Sequence, residues 1–266
     1  SQSISAPIAK KIPHVLETHA EQRVDNYYWM RDDSRTDPEI LAHLEQENQY
    51  VASVLQHTED MQEALFQELK GRVAKDDSSV PVRKGLFYYS SEVKGDQEYR
   101  IYMRASDFVG SDKQIILDVN KLAEGHEFFS MGDWAISPND KLIAYSEDTL
   151  SRRVYTIKVK DLTTGQYLKD TIEGASSDIV WQNDNKAFYY IKKDPQTLLG
   201  YQVYRHVLGT AQQTDQLIYE ETDTSFYTGL GKSKDESIIY IYHSSTETSG
   251  LSILDADNPN AKAHPF

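Results

Sequence analysis

Residues 132–165 read GDWAISPNDKLIAYSEDTLSRRVYTIKVKDLTTG, and this stretch decides the fold class. Short apolar and aromatic runs at 134–136, 142–145 and 154–159 are separated by the turn clusters Ser-Pro-Asn-Asp and Glu-Asp-Thr-Leu-Ser-Arg. Short runs of Val, Ile and Tyr bounded by Pro, Asn, Asp and Gly are typical of antiparallel strands. In the third run apolar and polar residues alternate, which predicts a strand with one solvent-facing side. The stretch therefore predicts an antiparallel meander.

The same pattern recurs along the chain. The second run of the meander has counterparts that begin at residues 86, 142, 187 and 238, with spacings of 56 (142 − 86), 45 (187 − 142) and 51 (238 − 187). Each is followed by a further strand-like run, at 99–103, 154–159, 201–207 and 251–254. All-strand repeats of about 40 to 50 residues are typical of propeller blades. An ordinary β-sandwich with a coincidental pattern is the alternative.

Composition excludes several classes of function. The 266 residues carry 28 basic and 42 acidic side chains, and the net charge of −14 argues against nucleic acid or an anionic membrane as a partner. Cysteine is absent, which excludes disulfides, thiol catalysis and thiolate metal sites.

Since the chain begins with Ser1 rather than Met, we expect that residues before it were removed. Its compartment, cytoplasm or periplasm, stays open.

Residues 1–75 differ from the rest and are predicted to form a separate N-terminal domain, before a partial propeller at 76–266. Residues 1–36 are predicted to be an irregular extended arm that carries the apolar cluster Tyr27-Tyr-Trp-Met30. Two helices are predicted, at 38–56 with Asp37 as the cap and at 59–70 with Gly71 as the stop. Their buried stripes are predicted at helical spacing: Leu41, Leu44, Asn48, Val51 and Leu55, then Met61, Leu65 and Leu69.

Catalytic motifs are missing from the sequence. A serine hydrolase on an α/β scaffold needs Gly-x-Ser-x-Gly at a strand-to-helix turn. Gly174-Ala-Ser176-Ser-Asp178 and Gly231-Lys-Ser233-Lys-Asp235 come nearest, but both lack the second glycine, and we place both in turns between blades. The eight histidines include no pair at i, i+4, and His206 reads as a packed or hydrogen-bonded core residue of a strand. We predict no catalytic residue, no cofactor site and no metal site.

Several strings resemble one family of serine peptidases. They are residues 25–33 (DNYYWMRDD), 45–50 (EQENQY), 135–139 (AISPN), 144–148 (AYSED), 151–153 (SRR), 179–184 (IVWQND), 193–210 (KDPQTLLGYQVYRHVLGT), 217–221 (LIYEE) and 254–259 (LDADNP). These strings are similar to the oligopeptidase B branch of the prolyl oligopeptidase family, and the resemblance covers the chain from about residue 7 onwards. Gly200 departs from the proline expected there, without chemical consequence.

The resemblance implies a seven-bladed propeller that covers an active site and admits only short peptides, which are cleaved after Arg or Lys. It also implies a C-terminal α/β-hydrolase domain that carries the catalytic Ser, Asp and His and onto which the N-terminal arm packs. We expect this chain to end before that domain. It would then be an inactive N-terminal portion with an arm, two helices and about four blades. Its partners would be the hydrolase domain and short basic peptides, which the acidic field of the chain could steer inward.

Three further expectations concern surfaces. Ser151-Arg152-Arg153 either bridges blades, reaches the other domain or forms a solvated turn. An arm without its partner is expected to be disordered or docked on a neighbour. The last blade is expected to present Ile238, Ile239, Tyr240 and Ile241 as a free apolar face, which favours self-association. The competing hypothesis, from another functional class, is a stand-alone propeller that binds other proteins.

Overall fold

The structure is a computed structural model that describes residues 5–266. The chain divides into two compact units, a first one that ends at Ala74 and a second one, Lys75–Phe266. The first unit is mainly helical and the second is built almost entirely of antiparallel strands.

The first unit contains a β-hairpin and two long helices. These are β1 (His14–Thr18), β2 (Glu21–Asp25), α1 (Pro38–Leu55) and α2 (Glu59–Gly71), with single 3-10 turns at Tyr28–Met30 and Gln56–Thr58. The prediction that residues 1–36 are irregular is therefore wrong for the hairpin. Its two-residue turn has positive φ at both His19 (54°) and Ala20 (62°). Such a turn is normally signalled by Asn-Gly, so His-Ala conceals it in the sequence.

Both helices lie where the sequence predicts them. The Asp37 carboxylate accepts hydrogen bonds from the backbone N–H of Glu39 (2.9 Å) and of Ile40 (3.5 Å), and Pro38 occupies the first helical position. Gly71 is the last helical residue of α2, and Arg72 follows with a right-handed φ of −84°. The glycine ends the helix without the left-handed conformation common at such positions.

We expect Asp37→Ala to lower the stability of α1 by about 0.5–2 kcal/mol, because it leaves N–H groups of the first turn without an acceptor. Amide hydrogen exchange at Glu39 and Ile40 measures the effect directly. Asp37→Asn keeps an acceptor oxygen and is the matched control. Equal exchange rates in the Ala and Asn variants would contradict a capping role.

The second unit contains sixteen further strands in three sheets, β3 to β18, and one short helix. Their bounds are β3 (Asp77–Ser78), β4 (Val82–Lys84), β5 (Phe87–Val93), β6 (Ile101–Ala105), β7 (Gln114–Asp118), α3 (Val119–Ala123), β8 (Ser130–Ile136), β9 (Leu142–Asp148), β10 (Tyr155–Asp161), β11 (Tyr167–Trp181), β12 (Ala187–Lys193), β13 (Gly200–Val207), β14 (Gln216–Glu220), β15 (Tyr227–Lys232), β16 (Ile238–Ser244), β17 (Ser249–Asp255) and β18 (His264–Pro265). All eight strands that the repeat predicted are present. The strands form a five-stranded sheet (β3–β7), a seven-stranded sheet (β8–β14) and a four-stranded sheet (β15–β18).

The turns repeat with the strands. Gly85, Asp140, Asn185 and Glu236 all have left-handed φ values, between 60° and 63°, and each lies just before β5, β9, β12 or β16. The three later turns are closed by equivalent backbone hydrogen bonds of 2.8–3.0 Å, for example from Ser137 N–H to the Leu142 carbonyl. The repeat predicted from strand spacing is therefore confirmed in backbone geometry.

Strand β11 is shared by two halves of the seven-stranded sheet. Its first half pairs with β10 (Ile157↔Ile172), whereas its second half pairs with β12 (Ile179↔Tyr190). The register shifts between Ala175 and Ile179, where the strand passes from one partner to the other. Fully buried residues such as Ile157, Ile172 and Phe188 form one core cluster around this strand.

The last sheet corrects the expectation of a free apolar face at residues 238–241. Ile239 and Ile241 are fully buried in a cluster with Tyr189, and the rings of Tyr240 and Tyr242 lie over glycines of β15. A Cβ at Gly229 would sit 1.9 Å from the Tyr242 ring, so the glycine creates the space that the ring fills. The alternation of a strand explains the error, because neighbouring residues point to opposite faces.

Candidate functional site

The strands β4, β8, β11 and β15 border one cavity of about 360 Å³ in the second unit. Its lining residues are Lys84, 134–136, 179–181, 230–232 and Glu236. The lining combines backbone, two indole rings and charged side chains. Such a mixed cavity suits a polar, extended ligand better than an apolar one.

Charged side chains lie on these same strands. The Lys232 ammonium donates to the Trp181 carbonyl (3.0 Å) and to Asn183 Oδ1 (2.6 Å), and burial lowers its pKa. The Asp178 carboxylate accepts from the Leu230 N–H (2.9 Å), and burial raises its pKa. Asp133 is exposed when the whole residue is considered. Its carboxylate is partly desolvated by the surrounding atoms, and this desolvation raises its pKa as well. The strands β8, β11 and β15 thus carry both signs of charge.

His206 is a core residue, as predicted, and lies between two carboxylates. Its Nδ1 is 2.7 Å from Asp215 Oδ1 and its Nε2 is 2.7 Å from Asp170 Oδ2, with all three side chains at most 5% exposed. Burial alone would lower the pKa of His206, but the hydrogen bonds to Asp215 and Asp170 outweigh it and raise the pKa. Both ring nitrogens are occupied, so this histidine can serve neither as a general base nor as a metal ligand.

Neither serine motif lies in a turn between two sheets, which corrects the prediction that both do. Ser176 and Asp178 lie inside β11, and Ser233 and Asp235 lie in the turn that joins β15 to β16 within one sheet. Ser233 Oγ donates to Asp235 Oδ1 (2.6 Å), and this bond is the largest of those that hold the pKa of Asp235 at about 2. A carboxylate that is so easily ionised stabilises a turn but is a poor general base.

The Ser151–Arg153 segment is a tight turn held by Asp148. The Asp148 carboxylate accepts from the N–H groups of Leu150 (2.9 Å) and Arg153 (2.8 Å), and Ser151 and Arg153 have φ values of 59° and 56°. Lys193 of β12 donates to the Arg153 carbonyl. The side chain of Lys193 thus contacts the backbone of this turn, and Arg153 itself is exposed.

The aromatic cluster 27–30 has contacts within the first unit. Trp29 Nε1 donates to the Lys10 carbonyl (2.9 Å), and the Tyr28 ring stacks on His14 at 4.0 Å. Tyr27 and Tyr28 remain 45% and 37% exposed. The predicted helical stripes have the right spacing but are also exposed, with Leu65 and Leu69 at 52% each.

Sequence reasoning missed the partners of His206. Asp170 lies 36 residues before it and Asp215 lies 9 residues after it, and neither belongs to a recognisable motif.

Within residues 5–266, no three His, Cys, Asp or Glu side chains are grouped as a metal ion would require. No helix in the same part of the chain is long and apolar enough to cross a membrane.

Comparison with known proteins identifies the family. The family described as "Prolyl oligopeptidase, N-terminal beta-propeller domain" matches residues 7–266. The chain belongs to the prolyl oligopeptidase family. The resemblance read from the sequence strings is therefore confirmed.

Two curated relatives of this family cover almost all of the chain. Dipeptidyl aminopeptidase BI of Pseudoxanthomonas mexicana is 39% identical over 97% of this chain, and protease 2 of Moraxella lacunata is 33% identical over 95%. The chain spans only 38% and 37% of the lengths of these two relatives.

Solved structures of the same family agree with the fold. Oligopeptidase B from Leishmania major matches 98% of this chain with a TM-score of 0.91 and 30% identity, and the match covers 39% of that protein. Oligopeptidase B from Trypanosoma brucei, solved with covalently bound antipain, matches with a TM-score of 0.86.

Proposed function

We propose that this chain is the N-terminal and propeller part of a serine oligopeptidase that hydrolyses short peptides after Arg or Lys. The observation that carries the proposal is the structural match to oligopeptidase B over 98% of this chain and only 39% of that protein. The catalytic Ser, Asp and His then belong to the part of the parent protein outside this alignment. The chain alone is inactive, and no residue in it is assigned a catalytic, cofactor or metal role.

The sheets fit an arc of four blades. The five-stranded and four-stranded sheets are one blade each, and the seven-stranded sheet is two blades that share β11. The cavity bordered by β4, β8, β11 and β15 then belongs to the central channel, because the first strand of each blade lines it. A channel closed by further blades would limit substrates by size.

Charge supports a preference for basic peptides. The net charge of −14 attracts cations at long range, and Asp133 and Asp178 place carboxylates on channel-lining strands. Lys84 and Lys232 at the cavity would attract the negatively charged carboxyl end of a peptide. The inner strands would thus orient a short peptide as well as attract it.

The exposed apolar side chains of the first unit support the proposal that this unit docks on the hydrolase domain. Its hairpin and helices expose large apolar side chains, among them Val51, Met61, Leu65 and Phe66, each at least half exposed. Exposed clusters of this size usually belong to an interface. The domains predicted at 1–75 and 76–266 would then be an interdomain element and a propeller.

Two other functions remain as alternatives. The 39% identity to a protein named dipeptidyl aminopeptidase favours a parent that removes dipeptides from free N-termini. A stand-alone propeller that binds proteins is less favoured, because the relatives that match are peptidases more than twice as long.

We expect the purified 266-residue chain to show no turnover of fluorogenic amides that end in Arg or Lys. The full-length parent protein should cleave them and should lose activity toward peptides of increasing length. A matched pair of substrates, one with a free and one with a blocked N-terminus, separates the two peptidase functions. Turnover by the chain alone that a serine-directed inhibitor blocks would contradict the assignment of catalysis to the rest of the parent. Cleavage only of free N-termini would favour the dipeptidyl aminopeptidase.

A further inference from the structure

His206 joins the two halves of the seven-stranded sheet at their outer edge. Its ring belongs to β13, and its two carboxylate contacts of 2.7 Å are to Asp170 in the first half of β11 and to Asp215 immediately before β14. The segment 208–215, which connects β13 to β14, is thereby tied to a strand of the other half of the sheet. The Gly209 N–H adds a further contact, because it donates to Asp170 Oδ2 (2.8 Å).

The same segment makes a reciprocal pair of hydrogen bonds further along β11. Gln212 Nε2 donates to the Glu173 carbonyl (2.9 Å), and Gln212 Oε1 accepts from the Glu173 N–H (2.9 Å). A cavity of about 490 Å³ between the strand and the segment is lined by residues 169–171, Glu173 and 209–213. Part of this lining is exposed, so water reaches the cavity that Asp170 borders.

The protonation state of the His206 ring decides whether both carboxylate contacts can persist. A doubly protonated imidazole donates from both nitrogens, whereas a neutral imidazole has one donor and one acceptor. After loss of a proton, one nitrogen presents a lone pair to a carboxylate oxygen at 2.7 Å, and that contact must lengthen. The charged groups that face the ring are those of Asp170 and Asp215. Strand β12 contributes the Tyr190 hydroxyl, which contacts Asp215, and the Phe188 ring, whose centroid is 5.2 Å from that of His206.

The contact to Asp170 is the one that can break. Asp215 is held at both oxygens, because Oδ1 contacts the ring and Oδ2 accepts from the Tyr190 hydroxyl (2.8 Å). Asp170 borders the cavity, so water can solvate its carboxylate once Nε2 no longer donates to it. We propose that His206 is a pH-controlled latch: its doubly protonated ring holds the segment 208–215 against β11, and loss of the Nε2 proton releases the segment.

The latch is closed at low pH and opens at high pH. Burial alone would lower the pKa of His206, but the hydrogen bonds to Asp215 and Asp170 outweigh it, so the folded ring keeps its second proton above its ordinary value of 6.5. Opening therefore begins above that pH. It is a local opening, because β13 and β14 remain paired through residues such as Val203 and Tyr219.

Amide hydrogen exchange of the chain between about pH 6 and pH 9 tests the latch. The protection factors of Gly209 and Glu173, which correct for the intrinsic pH dependence of exchange, should fall as the pH rises. The fall should be roughly 10- to 100-fold, which corresponds to the loss of one hydrogen bond to a charged group. Leu162 is the internal control, and its protection should stay constant.

The control residue lies in the equivalent loop of the preceding repeat. The Leu162 N–H donates to the Lys141 carbonyl (2.8 Å) as the Leu208 N–H donates to the Lys186 carbonyl (2.9 Å), and the loop after β10 contains no histidine. Protection at Gly209 and Glu173 that is constant with pH, or that falls together with that of Leu162, would overturn the proposal.

Two variants and one spectrum separate the latch from a general loosening. Asp170→Asn offers an amide N–H to a neutral ring and keeps an oxygen for the Gly209 N–H, so protection at Gly209 should no longer depend on pH. His243→Gln removes a histidine of the last sheet and should leave the pH dependence as in the wild type. The ¹⁵N chemical shifts of the His206 ring identify the nitrogen that loses its proton, which should be Nε2.

Two further outcomes would contradict the latch. One is loss of the proton from Nδ1, and the other is an Asp170→Asn variant with the pH dependence of the wild type. If Asp170→Asn does not fold, the exchange and the ring shifts of the wild type decide on their own.

Discussion

Replacing His206 with alanine should lower the free energy of unfolding of this chain by about 3–5 kcal/mol. The imidazole bridges Asp170 and Asp215 at 2.7 Å on either side, and Asp215 also accepts from the Tyr190 hydroxyl (2.8 Å). Removal of the ring leaves two buried carboxylates near each other without a cation. The loss is therefore larger than that of a packing contact, and chemical denaturation at pH 6 measures it.

The same cluster predicts how stability depends on pH. The pKa of His206 is raised above its ordinary value of 6.5, because hydrogen bonds to Asp215 and Asp170 outweigh burial. A raised folded pKa means that the folded state holds the proton more tightly than the unfolded state does. The contribution of the charged ring is thus fully present below about pH 6.5 and is lost as the pH rises through the folded pKa. The difference in the free energy of unfolding between wild type and His206→Ala should therefore become smaller as the pH rises through that range.

Two controls separate the ion pairs from packing. His243→Ala removes a partly exposed ring that stacks on Tyr219 and lies 3.8 Å from Glu221. Because it leaves no pair of buried carboxylates without a cation, it should cost less than His206→Ala. His206→Leu combined with Asp170→Asn and Asp215→Asn removes all three charges, and it should recover much of the loss and show no pH dependence in this range. A gap between wild type and His206→Ala that is constant from pH 6 to pH 9 would show that the charge of His206 is unimportant.

Much of this fold follows from local sequence signals. The strands at 142–145 and 187–190 could be predicted because the buried runs are bounded by turn residues, and α1 because Asp37 and Pro38 mark its start. The hairpin turn at His19 and Ala20 could not, since neither residue type signals the positive φ that both adopt. Local propensity carries no information on conformations that only the tertiary context enforces.

The candidate sites were less accessible to sequence reasoning. His206 could be placed in the core from its strand, but its charge state depends on Asp170 and Asp215, which folding brings together. The Tyr89 hydroxyl likewise donates to the carboxylate of Asp140, which lies 51 residues further along the chain. The repeat predicts the strands and turns that equivalent positions share. The hydrogen bonds of a site depend on the residues that differ between those positions, and the repeat does not predict them.

Charged substitutions on the exposed face of α2 should have a small effect in this chain and a large one in the full-length parent. Leu65 and Leu69 lie one helical turn apart and are each 52% exposed in this chain, so Leu65→Lys with Leu69→Lys should change its stability by no more than about 0.5 kcal/mol. In the full-length parent, these side chains are proposed to be buried against the hydrolase domain. Loss of two buried leucines should lower the free energy of unfolding there by about 3–6 kcal/mol.

Denaturant unfolding of both proteins measures this difference, and the polar face of the same helix provides the control. Glu63→Lys with Gln67→Lys adds the same number of lysines and removes the exposed Glu63 carboxylate together with its hydrogen bond to Gln67 (2.8 Å), so it should be nearly neutral in both proteins. An effect confined to the leucine pair and to the parent would identify α2 as part of the interdomain surface. Small, equal effects of both pairs in both proteins would mean that this face stays in water, and the apolar stripe would then need a different partner, such as a second copy of the chain.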